Sequence, residues 1–159
     1  MSEQRPIGKK GGVFLVVVDG TEESMMAIDY ASQFANAQQG YVALLNVIEK
    51  TYVQNWKNVE DKIQKDLRAQ AEQMIWDAAG RVFENTKAIP MISIEEGSPS
   101  DLIVKTVEEN KNIISLVLAS ASNSSNPGPM VSYFSGKGLA RLHVPLMVIP
   151  GSLAPLPFS

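Results

Sequence analysis

The chain has 159 residues, of which 45% are hydrophobic and 19% are charged, and this composition is typical of one globular domain rather than of a disordered chain. Its formal net charge is -3, with Lys and Arg spread among Asp and Glu, so no basic face is available for nucleic acid. It contains no cysteine, which excludes disulfides, thiol nucleophiles and cysteine-ligated metal sites.

Residues 1–12 are polar and rich in glycine, and we expect them to form a flexible N-terminal arm. They contain no apolar segment of the kind that a secretory signal needs. The apolar run VFLVVV that follows is far too short to cross a bilayer. The sequence therefore predicts a cytoplasmic protein whose folded domain spans residues 13–149.

The first half of this domain reads as strand, helix, strand, helix. VFLVVVD (13–19) is a continuous β-branched run, which is typical of a strand buried on both faces. A helix follows, with Thr21 as its cap and two glutamates in its first turn. YVALLNVI (41–48) is the second strand, and an apolar stripe over 57–84 predicts a long helix.

The second half repeats the alternation. The remaining predicted elements are a third strand (89–96), a helix from the cap Ser98 to about Asn110, a fourth strand (113–119), a short helix (Tyr133 to Leu142), a fifth strand (145–149) and a tail (150–159). Apolar strands that alternate with helices predict an α/β fold, a doubly wound parallel sheet with helices on both faces. Ligands bind such sheets beyond the carboxyl ends of the strands, so the loops after strands one and four form the candidate site.

Four short segments, VVVDGTEES, LLNVIEK, EEGSPSDLIV and HVPLMVIP, occur in this order along the chain. Their order and spacing resemble the universal stress protein family over residues 13–149. The resemblance implies a Rossmann-like fold, similar to the adenine nucleotide alpha hydrolases, with a sheet ordered 3-2-1-4-5. It also implies a dimer and, in some members, an ATP site.

The nucleotide motif of that family is G-x2-G-x9-G followed by Ser or Thr, starting at the end of strand four. The positions of this chain that match it are Ala119, Ser122, Ser132 and Tyr133. All three glycines and the final small hydroxyl are therefore absent. Glycine lets backbone amides approach phosphate oxygens, so we expect that ATP is not bound in the family's usual way.

The loop after strand four nevertheless contains many hydroxyl groups. Ser120, Ser122 and Ser132 can donate hydrogen bonds to a phosphate, and Ser132 is expected to cap the following helix. Pro127 and Pro129 oppose this interpretation because they carry no amide donor. Serine, asparagine, glycine and proline are also the usual residues of surface loops. The sequence leaves open whether the loop binds AMP, ATP or another phosphate ligand.

Two further positions match the family's site. Asp19 corresponds to the aspartate beside the bound nucleoside, and Val47 to the strand-two position whose backbone faces adenine. Each has an ordinary alternative, because Asp-Gly is a common turn and Val47 lies in an apolar strand. Glu22 and Glu23 make a Walker-type phosphate site at the first helix implausible.

No pattern of residues indicates an enzyme or a metal site. The one histidine, His143, is predicted at the amino end of strand five, opposite the candidate site. No G-x-S-x-G elbow, metal-ligand spacing or paired-carboxylate motif is present. Lys137 is interpreted as a solvated lysine on the protein surface. We therefore expect no catalytic activity.

Two functions remain in competition. The first is a dimeric signalling or interaction module in stress response, paired through the edge strand that contains Leu146, Met147, Val148 and Ile149. The second is a switch that binds AMP, ATP or another phosphate ligand through the serine-rich loop. A flavin-binding domain would share the fold but has no residue-level support. The sequence identifies neither a partner protein nor a physiological ligand.

Overall fold

The structure is a computed structural model that describes residues 11–49, 57–121, 125–153 and 156. Residues 1–10 of the predicted arm, half of the predicted tail and the candidate residue Ser122 lie outside the described residues. The strands are β1 (Val13–Val17), β2 (Tyr41–Ile48), β3 (Met91–Glu96), β4 (Ile113–Ala119) and β5 (Leu146–Ile149). The helices are α1 (Glu22–Gln38), α2 (Lys57–Thr86), α3 (Pro99–Glu109), α4 (Pro129–Phe134) and a 3-10 helix over Lys137–Arg141.

The five strands form one parallel sheet in the order β3-β2-β1-β4-β5, which confirms the predicted fold class and strand order. The direction in which successive strands are added to the sheet reverses between β1 and β4. Strands β1 and β2 lie on one side of this point and β4 lies on the other. The carboxyl ends of these three strands therefore border the crevice where a ligand of such a sheet binds.

The sheet carries an apolar core on each face. Phe14 and Val16 of β1 pack against α1 and α2, whereas Val13 and Leu15 of the same strand pack against α3 and α4. Successive side chains of a strand point to opposite faces, so a run buried on both sides must be apolar throughout. This explains why β1 shows no alternation of polar and apolar residues.

The predicted helix from Tyr133 to Leu142 is wrong. Helix α4 begins earlier, at Pro129, and ends at Phe134, and a separate 3-10 helix follows. Proline at the first helical position favours this start because its fixed φ angle suits a helix and no amide is lost from the hydrogen-bond ladder. Gly136 then leaves the helical region, with φ -115° and ψ -121°, and separates the two elements.

The long predicted helix and the shorter elements around it agree closely with the structure. α2 covers Lys57–Thr86, and Thr21 caps α1 through its hydroxyl oxygen, which accepts from the Ser24 amide at 3.2 Å.

Among the described residues, no helix combines the length and the hydropathy that a membrane span requires.

Candidate functional site

A cavity of about 350 Å³ lies at the carboxyl ends of β1, β2 and β4. Three of the predicted site residues, Asp19, Val47 and Ala119, line it. Pro127 and Pro129, which precede and begin α4, line its opposite side. The structure thus brings the loops after β1 and β4 together, as expected for a sheet whose order reverses between these strands.

Asp19 closes the turn that leads from β1 into α1. Its Oδ1 accepts hydrogen bonds from the amide of Thr21 at 3.0 Å and from the Thr21 hydroxyl at 2.6 Å. Its own amide donates to Ser24 Oγ at 3.4 Å. The carboxylate therefore has a structural role in starting the helix, and it also remains exposed on the cavity wall.

Val47 lies near the carboxyl end of β2, in register with Glu95 of β3, and is half-buried. The neighbouring Asn46, which sequence reasoning missed, is more informative. It is 7% exposed, lines the same cavity, and donates from Nδ2 to the Val18 carbonyl at 2.7 Å. This bond joins β2 to the chain just beyond β1. The signal available in the sequence was a single amide within the apolar run of β2.

The hydroxyl groups of the loop after β4 are only partly where the phosphate hypothesis needs them. Ser120 does not line the cavity: its amide donates to the Ile149 carbonyl at 3.0 Å, and its Oγ accepts from the Gly151 amide at 3.3 Å. Ser120 therefore links the end of β4 to the end of β5 and to the chain that follows it. Ser122 lies outside the described residues.

The expectation that Ser132 caps a helix is wrong. Ser132 lies inside α4, its amide donates to the Gly128 carbonyl at 3.0 Å, and Gly128 occupies the cap position. Tyr133 also stands away from the cavity. Its ring packs edge-on against Phe134 with centroids 5.0 Å apart, and its hydroxyl accepts from Arg141 at 2.8 Å. Tyr133 is therefore part of the packing between α4 and the 3-10 helix, whereas Ser132 is exposed.

The cavity has an acidic rim. Asp19, Glu23 and Glu49 line it, and no lysine or arginine does so among the described residues. A second cavity of about 380 Å³ adjoins it towards α2 and shares Asp19 and Glu49. The part of the crevice that the structure describes is therefore negatively charged.

The residues considered for catalysis do not meet at this crevice. His143 is exposed just before β5, at the amino-terminal edge of the parallel sheet, and Lys137 begins the 3-10 helix. Among residues 11–49, 57–121 and 125–153, no group of three His, Cys, Asp or Glu is arranged to hold a metal ion.

Comparisons with known proteins agree with this architecture. Residues 12–150 match the model of the universal stress protein family. The fold is similar to that of universal stress protein UspA from Lactobacillus plantarum, with 19% identity, coverage of 89% of this chain and 99% of that one, and a TM-score of 0.75. Comparison with curated proteins gave no significant match.

Two similar structures contain a nucleotide. One is a universal stress protein in complex with cAMP, with 17% identity, coverage of 91% of this chain and 100% of that one, and a TM-score of 0.63. The other is the universal stress protein from Archaeoglobus fulgidus in complex with dAMP, with 12% identity, coverage of 87% of this chain and 96% of that one, and a TM-score of 0.55. At these identities the likeness concerns the fold.

Proposed function

Because the chain belongs to the universal stress protein family, we propose that it is a dimeric signalling or interaction module of the stress response that does not hold ATP in the family's usual way. The module acts through its surfaces and carries out no reaction of its own. Its cytoplasmic location stays a prediction from the sequence.

The loop between β4 and α4 carries this proposal. Where a triphosphate needs converging amides, Pro127 and Pro129 provide none. The amide of Gly128 donates to Asn126 Oδ1 at 3.1 Å, and that of Ala121 donates to the Pro127 carbonyl at 3.2 Å. These two amides are thus used within the loop, and the acidic rim adds repulsion for an anion.

Calorimetry tests this proposal directly. The protein is stripped of ligand by unfolding and refolding, then titrated with ATP and magnesium. We expect no heat of binding at millimolar nucleotide. Micromolar affinity for ATP would overturn the proposal, because it would require donors that replace the missing glycine amides.

A second candidate function is a switch that binds AMP or another small nucleotide. The cavity of about 350 Å³ supports it, since Asp19 and Val47 both line this cavity at the reversal of strand order. The two similar structures with cAMP and dAMP also favour an adenine ligand. If this function is correct, Asp19→Ala weakens the binding of AMP. Equal binding by the variant and the parent would remove Asp19 from the site.

A further inference from the structure

We propose that the C-terminal segment 154–159, with the sequence APLPFS, docks into a cavity of its own chain through the side chain of Phe158. The cavity has a volume of about 480 Å³ and lies between the start of α1 and the turn after β5. Of this segment, only Leu156 is among the described residues. The cavity is not the one at the ends of β1, β2 and β4, and its occupation requires neither a nucleotide nor a dimer.

The walls of this cavity suit an aromatic side chain. Met25 and Met26 of α1 and Leu153 after β5 supply its apolar lining. Both methionines are half-buried and pack against the core on this face of the sheet. Methionine is flexible and its sulfur makes favourable contacts with aromatic rings, so this wall can adapt to a phenyl group. The volume also lies within the range of roughly 300–1,000 Å³ that is typical of binding sites.

The course of the chain after β5 leads the segment to this cavity. The Gly151 amide donates to Ser120 Oγ at 3.3 Å, and the Leu153 amide donates to the Pro150 carbonyl at 3.1 Å. These bonds fix a turn that places Gly151 and Leu153 in the cavity wall. The segment therefore starts at the cavity itself. Phe158 follows five residues after Leu153, which gives it a reach of up to about 16 Å.

The exposure of the last described residues supports docking. Leu153 is 39% exposed although it lies in the cavity wall, so it leaves apolar surface for a further side chain to cover. Leu156, three residues later, is half-buried, which places the chain beyond Leu153 close to the fold. The segment 154–159 carries no charged side chain, so no charge on its side chains has to lose its water when it docks.

Two prolines lower the entropic cost of docking. Pro155 and Pro157 fix their own φ angles and restrict the preceding residues, Ala154 and Leu156, to extended conformations. A segment that is already restricted loses less conformational entropy when it binds. A single aromatic side chain can therefore anchor it.

The cavity receives the segment of the same chain rather than that of a second copy. In a dimer paired through β5 about a two-fold axis, the two β5 strands run antiparallel. The segment of the second copy then starts beside the amino end of this β5, whereas the cavity lies beyond its carboxyl end. The chain's own segment starts in the cavity wall, and this short tether gives it a high local concentration there.

Docking also affects the start of α1. Gly20 and Glu22 line the same cavity and lie on either side of Thr21, the cap of the helix. A segment packed against them stabilises the turn that leads from β1 into α1. The same turn contains Asp19, which lines the crevice.

Disulfide trapping tests the docking, because the chain contains no cysteine and the introduced thiols are the only ones present. The trapping variant is Glu22→Cys with Ser159→Cys, which joins the cavity wall to the residue after Phe158. The control variant is Gln33→Cys with Ser159→Cys. Glu22 and Gln33 are both exposed on α1, and Gln33 lies about three turns, or roughly 16 Å, further along the same helix face.

We expect the trapping variant to form its disulfide about tenfold faster than the control variant, because burial of the phenyl group holds the segment at the cavity. The product should have the mass of a single chain on a non-reducing gel. Adding Phe158→Ser to the trapping variant should lower its rate to that of the control, since the anchor is then lost. The exposure of Glu22 and Gln33 means that their replacement leaves the core intact.

Three results would each overturn the proposal. Equal rates for the trapping and control variants would mean that the segment does not dock. A disulfide that joins two chains in the trapping variant would mean that the cavity takes the segment of a second copy. A rate unchanged by Phe158→Ser would mean that Phe158 is not the anchor.

Discussion

Arg81 of α2 donates two hydrogen bonds to the carboxylate of Asp29 on α1, from Nε to Oδ1 at 2.7 Å and from a terminal nitrogen to Oδ2. Asp29 is only 5% exposed and also accepts from Asn85 Nδ2 at 2.8 Å. The bond with Asp29 raises the pKa of the Arg81 guanidinium above its ordinary value. These contacts hold the two helices that cover one face of the sheet in a fixed relation.

Replacing Arg81 by Ala should destabilise the fold by about 2 kcal/mol. The variant leaves the Asp29 carboxylate buried without its charged partner, and this is the costly way to break such a pair; partial exposure of Arg81 reduces the cost. Urea unfolding measures the effect. The control is Arg68→Ala, whose ion pairs with Glu72 and Glu96 are exposed, and which should cost less than about 0.5 kcal/mol. Equal losses for the two variants would contradict this interpretation.

The sequence predicted the strands because each is a short, largely apolar run, and this property is local; their order was implied by the resemblance to the universal stress protein family. It did not predict the buried contacts that join distant segments. Asp29 and Arg81 are 52 residues apart, and Asn46 and Val18 are 28 apart, so no nearby pattern marks them as partners. The Ser132 cap was wrong for a different and local reason, because Pro129 starts the helix about one turn earlier. Asp19, Val47 and Ala119, three of the candidates from the sequence, line the cavity, but the sequence did not point to Asn46 or Glu49 there.

Replacing Asn46 by Asp should make stability depend on pH. At neutral pH a carboxylate cannot donate to the Val18 carbonyl, so we expect a loss of about 2 kcal/mol. Burial disfavours the charged form and raises the pKa of the introduced carboxyl in the folded state. The loss should therefore shrink as pH falls through this raised value, because the protonated group donates again. Urea titrations of variant and parent at neutral and mildly acidic pH measure the difference.

The matched control for this pH effect is Asn110→Asp. The Asn110 amide also donates to a backbone carbonyl, that of Thr106 at 2.8 Å, but this residue is exposed and water replaces the lost bond. We expect a loss below about 0.5 kcal/mol with little dependence on pH. If Asn46→Asp behaves like this control, the bond between β2 and Val18 does not stabilise the rim of the cavity.

Two glycine-to-alanine changes should have opposite effects on stability. A Cβ on Gly138 would clash with Cε1 of Tyr133, so Gly138→Ala must displace that ring from its contact with Phe134. We expect a loss of about 1–3 kcal/mol, as for an overpacked core. Gly80 lies within α2 with nothing within 4 Å of an added Cβ, and Gly80→Ala should add about 0.5–1 kcal/mol. Thermal unfolding shows whether each variant is more or less stable than the parent. A Gly138→Ala protein as stable as the parent would refute the close packing of Gly138 against Tyr133.

The proposed dimer predicts different behaviour at the two edges of the sheet. β5 forms one edge, and its Leu146, Met147 and Val148 are only half-buried in the single chain. If a second copy covers this edge, Met147→Lys should convert the dimer to a monomer in sedimentation velocity at micromolar concentration, because a charge at the centre of an interface opposes burial. Met91→Lys is the matched control, since Met91 is 47% exposed on β3 at the opposite edge, and it should leave the dimer intact. A parent chain that sediments as a monomer would rule out the dimer, and dissociation by Met91→Lys alone would transfer the interface to β3.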